Sequence, residues 1–322
     1  MKQYLENLDS QILEGIRRGR LCHLPQSYGR ISRICFFGMG GSAISGDILS
    51  VLSSGNVSFH VHRSPHFPKW AGRETLAVFS SYSGNTAETL TAFDQALKRN
   101  VKMLVVTSGG QLEKLAARKK IPVIKIPGGL PPRCAVGYLT FSLVPAFRQK
   151  GWIQAPDADI RETLSAVRSV SQAKARQLAG QMAGRFVHFY GMSCFMPPVL
   201  RRWRAQLAEN AKTMSTSHMM PEMFHNEIEG WQFPKKEIKN HLMVFFTQKK
   251  GLSWLVRKMK HVQNIASQKS AGYLEIEARG RSILAQLFSL IVLGDWTSYE
   301  LALLNGVDPL RIPHIEEVKK IL

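Results

Sequence analysis

The run Ser81-Tyr82-Ser83-Gly84-Asn85-Thr86 gathers three serine and threonine hydroxyls around one glycine, and Gly38-Met39-Gly40-Gly41-Ser42 sets another serine beside three glycines. Both follow apolar stretches that read as strands, Ile34 to Phe37 and Leu76 to Phe79, and both precede helical patterns. The first N–H groups of a helix have no partner within it. Together with nearby hydroxyls they hold a phosphate group. Neither loop carries the lysine of a nucleoside-triphosphate loop, so the chemistry suggested is capture of a phosphorylated small molecule, with Gly40, Gly41, Ser42, Ser81, Ser83 and Thr86 as the binding set. The plainer alternative is a strand-to-helix turn with Thr86 near the helix start. One hydroxyl would serve that purpose; Ser81, Ser83 and Thr86 together exceed it.

Three further positions suit acid–base work on such a ligand. Glu209 lies in Ala208-Glu209-Asn210-Ala211-Lys212, on a helix opened by Pro197-Pro198, and its helix mates Leu200, Trp203 and Leu207 imply partial burial. A half-buried carboxyl is suited to exchanging a proton near neutral pH; the ordinary alternative is a solvated helix acid. His225, in Phe224-His225-Asn226-Glu227, falls in a loop, where a histidine is less often core filling. Arg133 follows Pro131-Pro132, whose rings fix its backbone entry, and could stabilise an anionic intermediate; alone it could equally be a surface ion pair. Gly38-x-Gly40-x-x-Ala43 also fits a dinucleotide fingerprint, but a lone match of that kind is weak. The next strand ends His60-Val61-His62-Arg63, without the carboxylate that would hold a ribose. Arg63 could serve a 2′-phosphate, yet this reading leaves the Ser81–Thr86 loop without a purpose. The histidines show no metal-ligand spacing, so no metal is expected, and acid–base work of this kind needs no redox cofactor.

These groups need a scaffold. In the first half, short apolar strands alternate with helices: strands at 33–38, 57–62, 75–80, 101–106 and 123–126, helices at 42–52, 86–98 and 111–120. That alternation predicts an α/β fold with a parallel sheet covered on both faces and ligands at the strand C-termini. A helix is expected from Ala135 to about Phe147 and a long one ending near Gly180. The second half restarts the pattern. Phe36-Phe37-Gly38-Met39 is answered by Phe189-Tyr190-Gly191-Met192, and Val78-Phe79-Ser80-Ser81 by Val244-Phe245-Phe246-Thr247. A duplicated domain is expected, divided as 1–153 and 154–322. The second copy has Gln248-Lys249-Lys250-Gly251 in place of the hydroxyl-rich loop, so one phosphate site per chain is expected.

The chain has 322 residues, enough for two domains with separate cores. Its 43 Lys and Arg against 23 Asp and Glu give a formal charge of +20. The basic residues are scattered in pairs and no nucleic-acid motif stands out, so the field is read as steering an anionic substrate rather than binding nucleic acid. The four cysteines form no Cys-x-x-Cys pair, and the N-terminus reads as an amphipathic helix rather than a secretory signal, which together suggest a cytoplasmic location. The longest apolar run, Ile283 to Leu293, is interrupted by Gln286 and Ser289 and followed by Asp295. It reads as a buried helix, too short and polar to cross a bilayer.

Taken together, the two loops resemble those of the sugar isomerase (SIS) superfamily. The set Pro132-Arg133, Glu209-Asn210-Ala211-Lys212 and His225-Asn226-Glu227 resembles its bifunctional phosphoglucose/phosphomannose isomerases. The resemblance covers nearly the whole chain and implies two flavodoxin-like SIS domains and an aldose–ketose isomerase of hexose 6-phosphates. It implies that Ser42, Ser81, Ser83 and Thr86 hold the 6-phosphate with help from the Gly40-Gly41 backbone, that Glu209 carries the proton between C1 and C2, and that Arg133 stabilises a cis-enediolate. It further implies a homodimer in which His225 reaches a partner chain's site to open the sugar ring, assisted by a C-terminal lysine for which Lys319 fits the register better than Lys320. A non-enzymatic sugar-phosphate sensor on this fold, or an isomerase of another phosphosugar, would share the serine loop.

Overall fold

The computed structural model describes residues 1–29, 31–249 and 251–321. The chain divides into two compact units, Glu6–Ile160 and Arg161–Leu322 joined by Met1–Leu5. The division falls a few residues beyond the one read from the sequence, after Ile160 instead of 153.

The first unit is built on β1 (Arg33–Phe37), β2 (Ser58–His62), β3 (Thr75–Ser80), β4 (Lys102–Thr107) and β5 (Val123–Lys125), all parallel, in the order β2-β1-β3-β4-β5. β3 is buried at all six positions, as expected of a central strand covered on both faces. Phe37 stacks on Phe79 with ring centroids 5.0 Å apart, and Phe93 of the helix Ala87–Leu97 meets Phe79 edge-on at 5.2 Å, closing the core on that face. The chain leaves β1 toward β2 and returns to place β3 on the other side. The strand order therefore reverses between β1 and β3, where sheets of this order bind ligands. The loops Gly38–Met39 and Ser81–Thr86 issue from those two strands.

The second unit holds β6 (Phe186–Gly191), β7 (Ser215–Met219), β8 (His241–Thr247) and β9 (Tyr273–Glu277), parallel, in the order β7-β6-β8-β9. Its register repeats that of the first sheet. Phe36 pairs with Val78 and Phe37 with Phe79; Phe189 pairs with Val244 and Tyr190 with Phe245. The two short sequence echoes thus occupy equivalent positions of equivalent strand pairs.

Three expected helices differ from the structure. The helix expected from Ala135 to Phe147 is two, Val136–Phe141 and Val144–Gln149, because Pro145 has no N–H to continue the ladder. The long helix ending near Gly180 is also two, Asp157–Arg168 and Gln172–Met182, the second started afresh by Ser171, whose hydroxyl accepts the Lys174 N–H at 3.1 Å. The apolar helix does not stop at Leu293. It runs from Ile283 to Leu304, and by length and composition alone it could cross a membrane, although 67% of its most apolar window is buried inside the fold. Asp295, the residue that broke the apolar run, is buried in a two-pronged pairing with Arg202 at 2.7 and 2.8 Å, and Gln206 donates to it as well. A buried acid so paired does not end a helix.

Candidate active site

The hydroxyl loops converge at the C-terminal ends of β1 and β3. The helix Gly40–Val51 begins at Gly40, and its N-terminal neighbour Met39 provides no side-chain cap. Gly40 and Gly41 thus lie in the turn whose N–H groups lack intrahelical acceptors. Ser42 is buried, and its hydroxyl accepts the Tyr82 N–H at 3.2 Å, tying the first loop to the second while keeping its own proton for donation.

Thr86 occupies the cap position of the helix Ala87–Leu97, yet its side chain makes no cap hydrogen bond. Its hydroxyl instead lies 2.9 Å from Ser81 Oγ, which also accepts the Gly84 N–H at 3.1 Å. Gly84 N–H, Ser81 and Thr86 are thus linked in one hydrogen-bonded chain, in which either hydroxyl can donate to the other; members of such a chain polarise one another. Ser81 is fully buried, Thr86 half-buried and Ser83 exposed, with Ser83 Oγ accepting the Asn85 N–H at 3.3 Å. Thr86 thus stands at the helix start, as the plainer alternative has it, with its hydroxyl bonded to Ser81 rather than to a helix N–H.

The loop is held from behind. Gly84 adopts φ +69°, and a Cβ there would fall 1.8 Å from the Gly109 carbonyl oxygen, so only glycine fits. The Tyr82 carbonyl accepts from Ser108 N at 3.0 Å and Ser108 Oγ at 2.6 Å, and Gln111 N donates to Asn85 Oδ1 at 2.9 Å.

Arg133 belongs to the same cluster of loops. It is 3% exposed, in the short turn Pro132–Cys134, so it is not a surface ion-pair residue. Gly41 packs against that turn: a Cβ on Gly41 would lie 2.9 Å from Pro132 O and 3.0 Å from Arg133 Cα. Arg63, in contrast, is paired with the buried Asp47 on the helix after β1. The dinucleotide reading therefore loses the cation it needed.

The remaining candidates lie in the second unit, on three different elements. Glu209 is half-buried near the end of the helix Pro197–Ala211. Lys212, in the left-handed conformation at φ +55°, turns its ammonium back onto the carbonyls of Glu209 at 2.7 Å and Asn210 at 3.2 Å, and onto Asp308 O at 2.9 Å. A cation on those carbonyls closes the helix just past the carboxylate. Asn210 is buried and donates to Ser298 Oγ at 2.9 Å, which locks the adjacent position to the neighbouring long helix.

His225 ends the turn Glu222–His225 and is exposed. The turn is anchored by the next residues. Asn226 Oδ1 accepts the Glu227 N–H, and the Glu227 carboxylate accepts the Tyr190 hydroxyl at 2.6 Å. Burial, with the carboxylate beside it, pushes the Tyr190 phenol far up, so it stays a donor. Lys319 follows the helix Pro313–Val318 and is exposed, as is Lys320.

Sequence reasoning passed over Tyr82, Asn85, Ser108 and Glu227 as chemistry-bearing positions. The one available signal for Tyr82 was a large aromatic in a loop of small residues. Ser108 carried none, since its partners come from another loop. Among the described residues there is no cluster of three or more His, Cys, Asp or Glu able to hold a metal ion.

Residues 171–322 match the model of the bacterial phospho-glucose isomerase C-terminal SIS domain. The chain is 30% identical to a bifunctional phosphoglucose/phosphomannose isomerase of Caldicellulosiruptor bescii, over 100% of this chain and 98% of that protein. It is 34% identical to the bifunctional phosphoglucose/phosphomannose isomerase of Thermoplasma acidophilum, over 91% and 90% of the two chains. Among solved structures, a hypothetical protein of Thermus thermophilus superposes with a TM-score of 0.78 at 16% identity, covering 98% of this chain and 88% of that one; that likeness shows the fold alone.

Proposed function

The chain belongs to the bifunctional phosphoglucose/phosphomannose isomerase family, and on that premise we propose that it interconverts glucose 6-phosphate, and with it mannose 6-phosphate, with fructose 6-phosphate. The observation that carries this reading is the Thr86 hydroxyl, which sits at a helix cap position, leaves the side-chain cap unmade and pairs with Ser81.

In this reading the 6-phosphate rests on Ser42, Ser81, Ser83 and Thr86 and on the Gly40-Gly41 amides. Its two negative charges are met by neutral donors and a helix N-terminus. Glu209 takes the proton from C2 of the opened aldose and returns it to C1, so that the enediolate forms and collapses on one face of the sugar. Arg133, buried and held by its turn, offsets the charge that builds on the enediolate oxygens. His225 of a partner subunit protonates the ring oxygen on opening, with Lys319 assisting, and the active assembly is a cytoplasmic homodimer. Loss of C2 stereochemistry in a planar enediolate is what lets one site serve both the glucose and mannose epimers.

A panel of hexose and pentose phosphates followed by NMR in the presence of a chelator tests this. Glucose 6-phosphate and mannose 6-phosphate should both approach equilibrium with fructose 6-phosphate. Turnover of a pentose phosphate alone, or full loss of activity on chelation, would overturn the reading.

A further inference from the structure

Four loops meet around Tyr82. Its N–H donates to Ser42 Oγ on the helix after β1, and its carbonyl accepts from Ser108 after β4. Its ring is 5% exposed, and its hydroxyl reaches the loop after β5, donating to Pro127 O at 2.9 Å and accepting the Leu130 N–H at 3.0 Å. Both of these hydroxyl bonds go to the loop after β5. They close a hook around Gly128-Gly129, where Gly129 adopts φ +88°.

The segment that follows Leu130 is stiff. Pro131 and Pro132 have fixed φ, Cys134 N donates to Pro131 O at 2.8 Å, and Arg133 sits inside that turn. A point fixed at Leu130 therefore fixes Arg133 three residues on. From the opposite side, Gly41 abuts Pro132 O and Arg133 Cα. The two hydrogen bonds of one phenol thus tie the segment that leads into the arginine's turn to the loop that carries Ser81, Ser83 and Thr86.

We infer that Tyr82 is a positioning residue for Arg133: its hydroxyl sets where the guanidinium stands relative to a phosphate seated on the hydroxyl loop. This rests on the isomerase reading above, in which Arg133 meets the enediolate. Without the hook, the Gly128-Gly129 link would let the arginine's turn drift while the phosphate donors kept their places, since Tyr82's contribution to them is made by its backbone. The loss then falls on turnover and not on phosphate affinity. Misplacement of a group that acts only on the developing charge lowers kcat and leaves ground-state binding intact.

The experiment is a double-mutant cycle of Tyr82→Phe and Arg133→Ala, each assayed for fructose 6-phosphate isomerisation and for competitive inhibition by inorganic phosphate. Tyr82→Phe keeps the ring and all backbone contacts. Its kcat should fall about tenfold with the inhibition constant for phosphate within about twofold of wild type, and in the Arg133→Ala background it should cost no further rate. Unchanged kcat, or a loss that multiplies with that of Arg133→Ala, would refute the assignment. So would a weakened phosphate constant, since the phenol would then be supporting the phosphate loop itself. If wild-type protein isomerises no hexose phosphate, the proposed function fails. If wild type is active and the cycle is multiplicative, only the role of Tyr82 fails.

Discussion

The two sheets share a register and the order of four strands but differ in the loops at their C-terminal ends. After β1 the helix opens with Gly40-Gly41, two residues with backbone N–H groups and no side chains in the way. After β6 the helix opens with Pro197-Pro198, which have no N–H to offer. After β3 come Ser81, Ser83 and Thr86; after β8 comes Gln248. The brace between the two loops persists in both units: Ser42 Oγ accepts from Tyr82 N, and Ser193 Oγ donates to Gln248 Oε1 at 3.1 Å. The second unit has thus kept the mechanical tie and lost the donors. The repeat retains what holds the strand ends together and varies the hydroxyls and amides beside them. In the second unit the proposed catalytic groups, Glu209 and His225, instead lie off the strand ends, on the helix after β6 and in the turn after β7.

Glu209→Gln should give the largest effect that separates the units. Removal of a general base lowers kcat by on the order of a thousandfold, with KM within a few-fold, read by steady-state isomerisation of fructose 6-phosphate. A small loss of kcat would move the proton transfer elsewhere. Next comes Ser81→Ala with Thr86→Val, which deletes the hydroxyl pair. At about 1.5–3 kcal/mol for a hydrogen bond to a charged group, KM for hexose 6-phosphates should rise roughly a hundredfold, and an unchanged KM would break the contrast between β3 and β8.

A thermodynamic contrast follows in size. His188 of β6 lies 3.0 Å from His241 Nδ1 and 2.8 Å from Thr216 Oγ1, and Trp231 meets its ring edge-on. Burial first, then His241 and His218, pushes His188 down to about 4 from 6.5. Between those values the unfolded chain binds a proton that the folded one refuses. The histidine's contribution is therefore complete above pH 6.5 and lost as pH falls toward 4, on the order of 3 kcal/mol in all. Urea titrations across that range should show the decline, and His188→Gln should flatten it. An equally steep decline in the variant would assign it to other groups. The smallest effect is expected of Lys249→Ala at the β8 end, where KM should stay within about twofold of wild type; a tenfold rise would mean that the second sheet binds phosphate too.

The strands of the first unit and the hydroxyl-rich turn after β3 were legible because each is a local pattern. β3 was read at its observed limits, since a run buried on both faces shows as unbroken apolar sequence between polar turns. β7, Ser-Thr-Ser-His-Met, has no apolar run, and only its pairing with β6 makes it a strand. The split of the 135–147 helix needed attention to Pro145, and the length of the Ile283–Leu304 helix needed Arg202, ninety-odd residues away in the chain, to excuse Asp295. At the site, residue types pointed to the donors and the carboxylate, but the partners that orient them come from other loops. Tyr190 behind Glu227 and Ser108 behind Tyr82 are contacts that no spacing encodes.

The most direct measurement is a crystal structure with a phosphorylated five-carbon aldonate, whose carboxylate mimics the enediolate. The account predicts its phosphate on Ser42, Ser81 and Thr86 and its carboxylate within hydrogen-bond reach of Arg133 and beside Glu209. A phosphate bound at the ends of β6 and β8, or a Glu209 carboxylate farther than one sugar length from the ligand in every protomer, would contradict it.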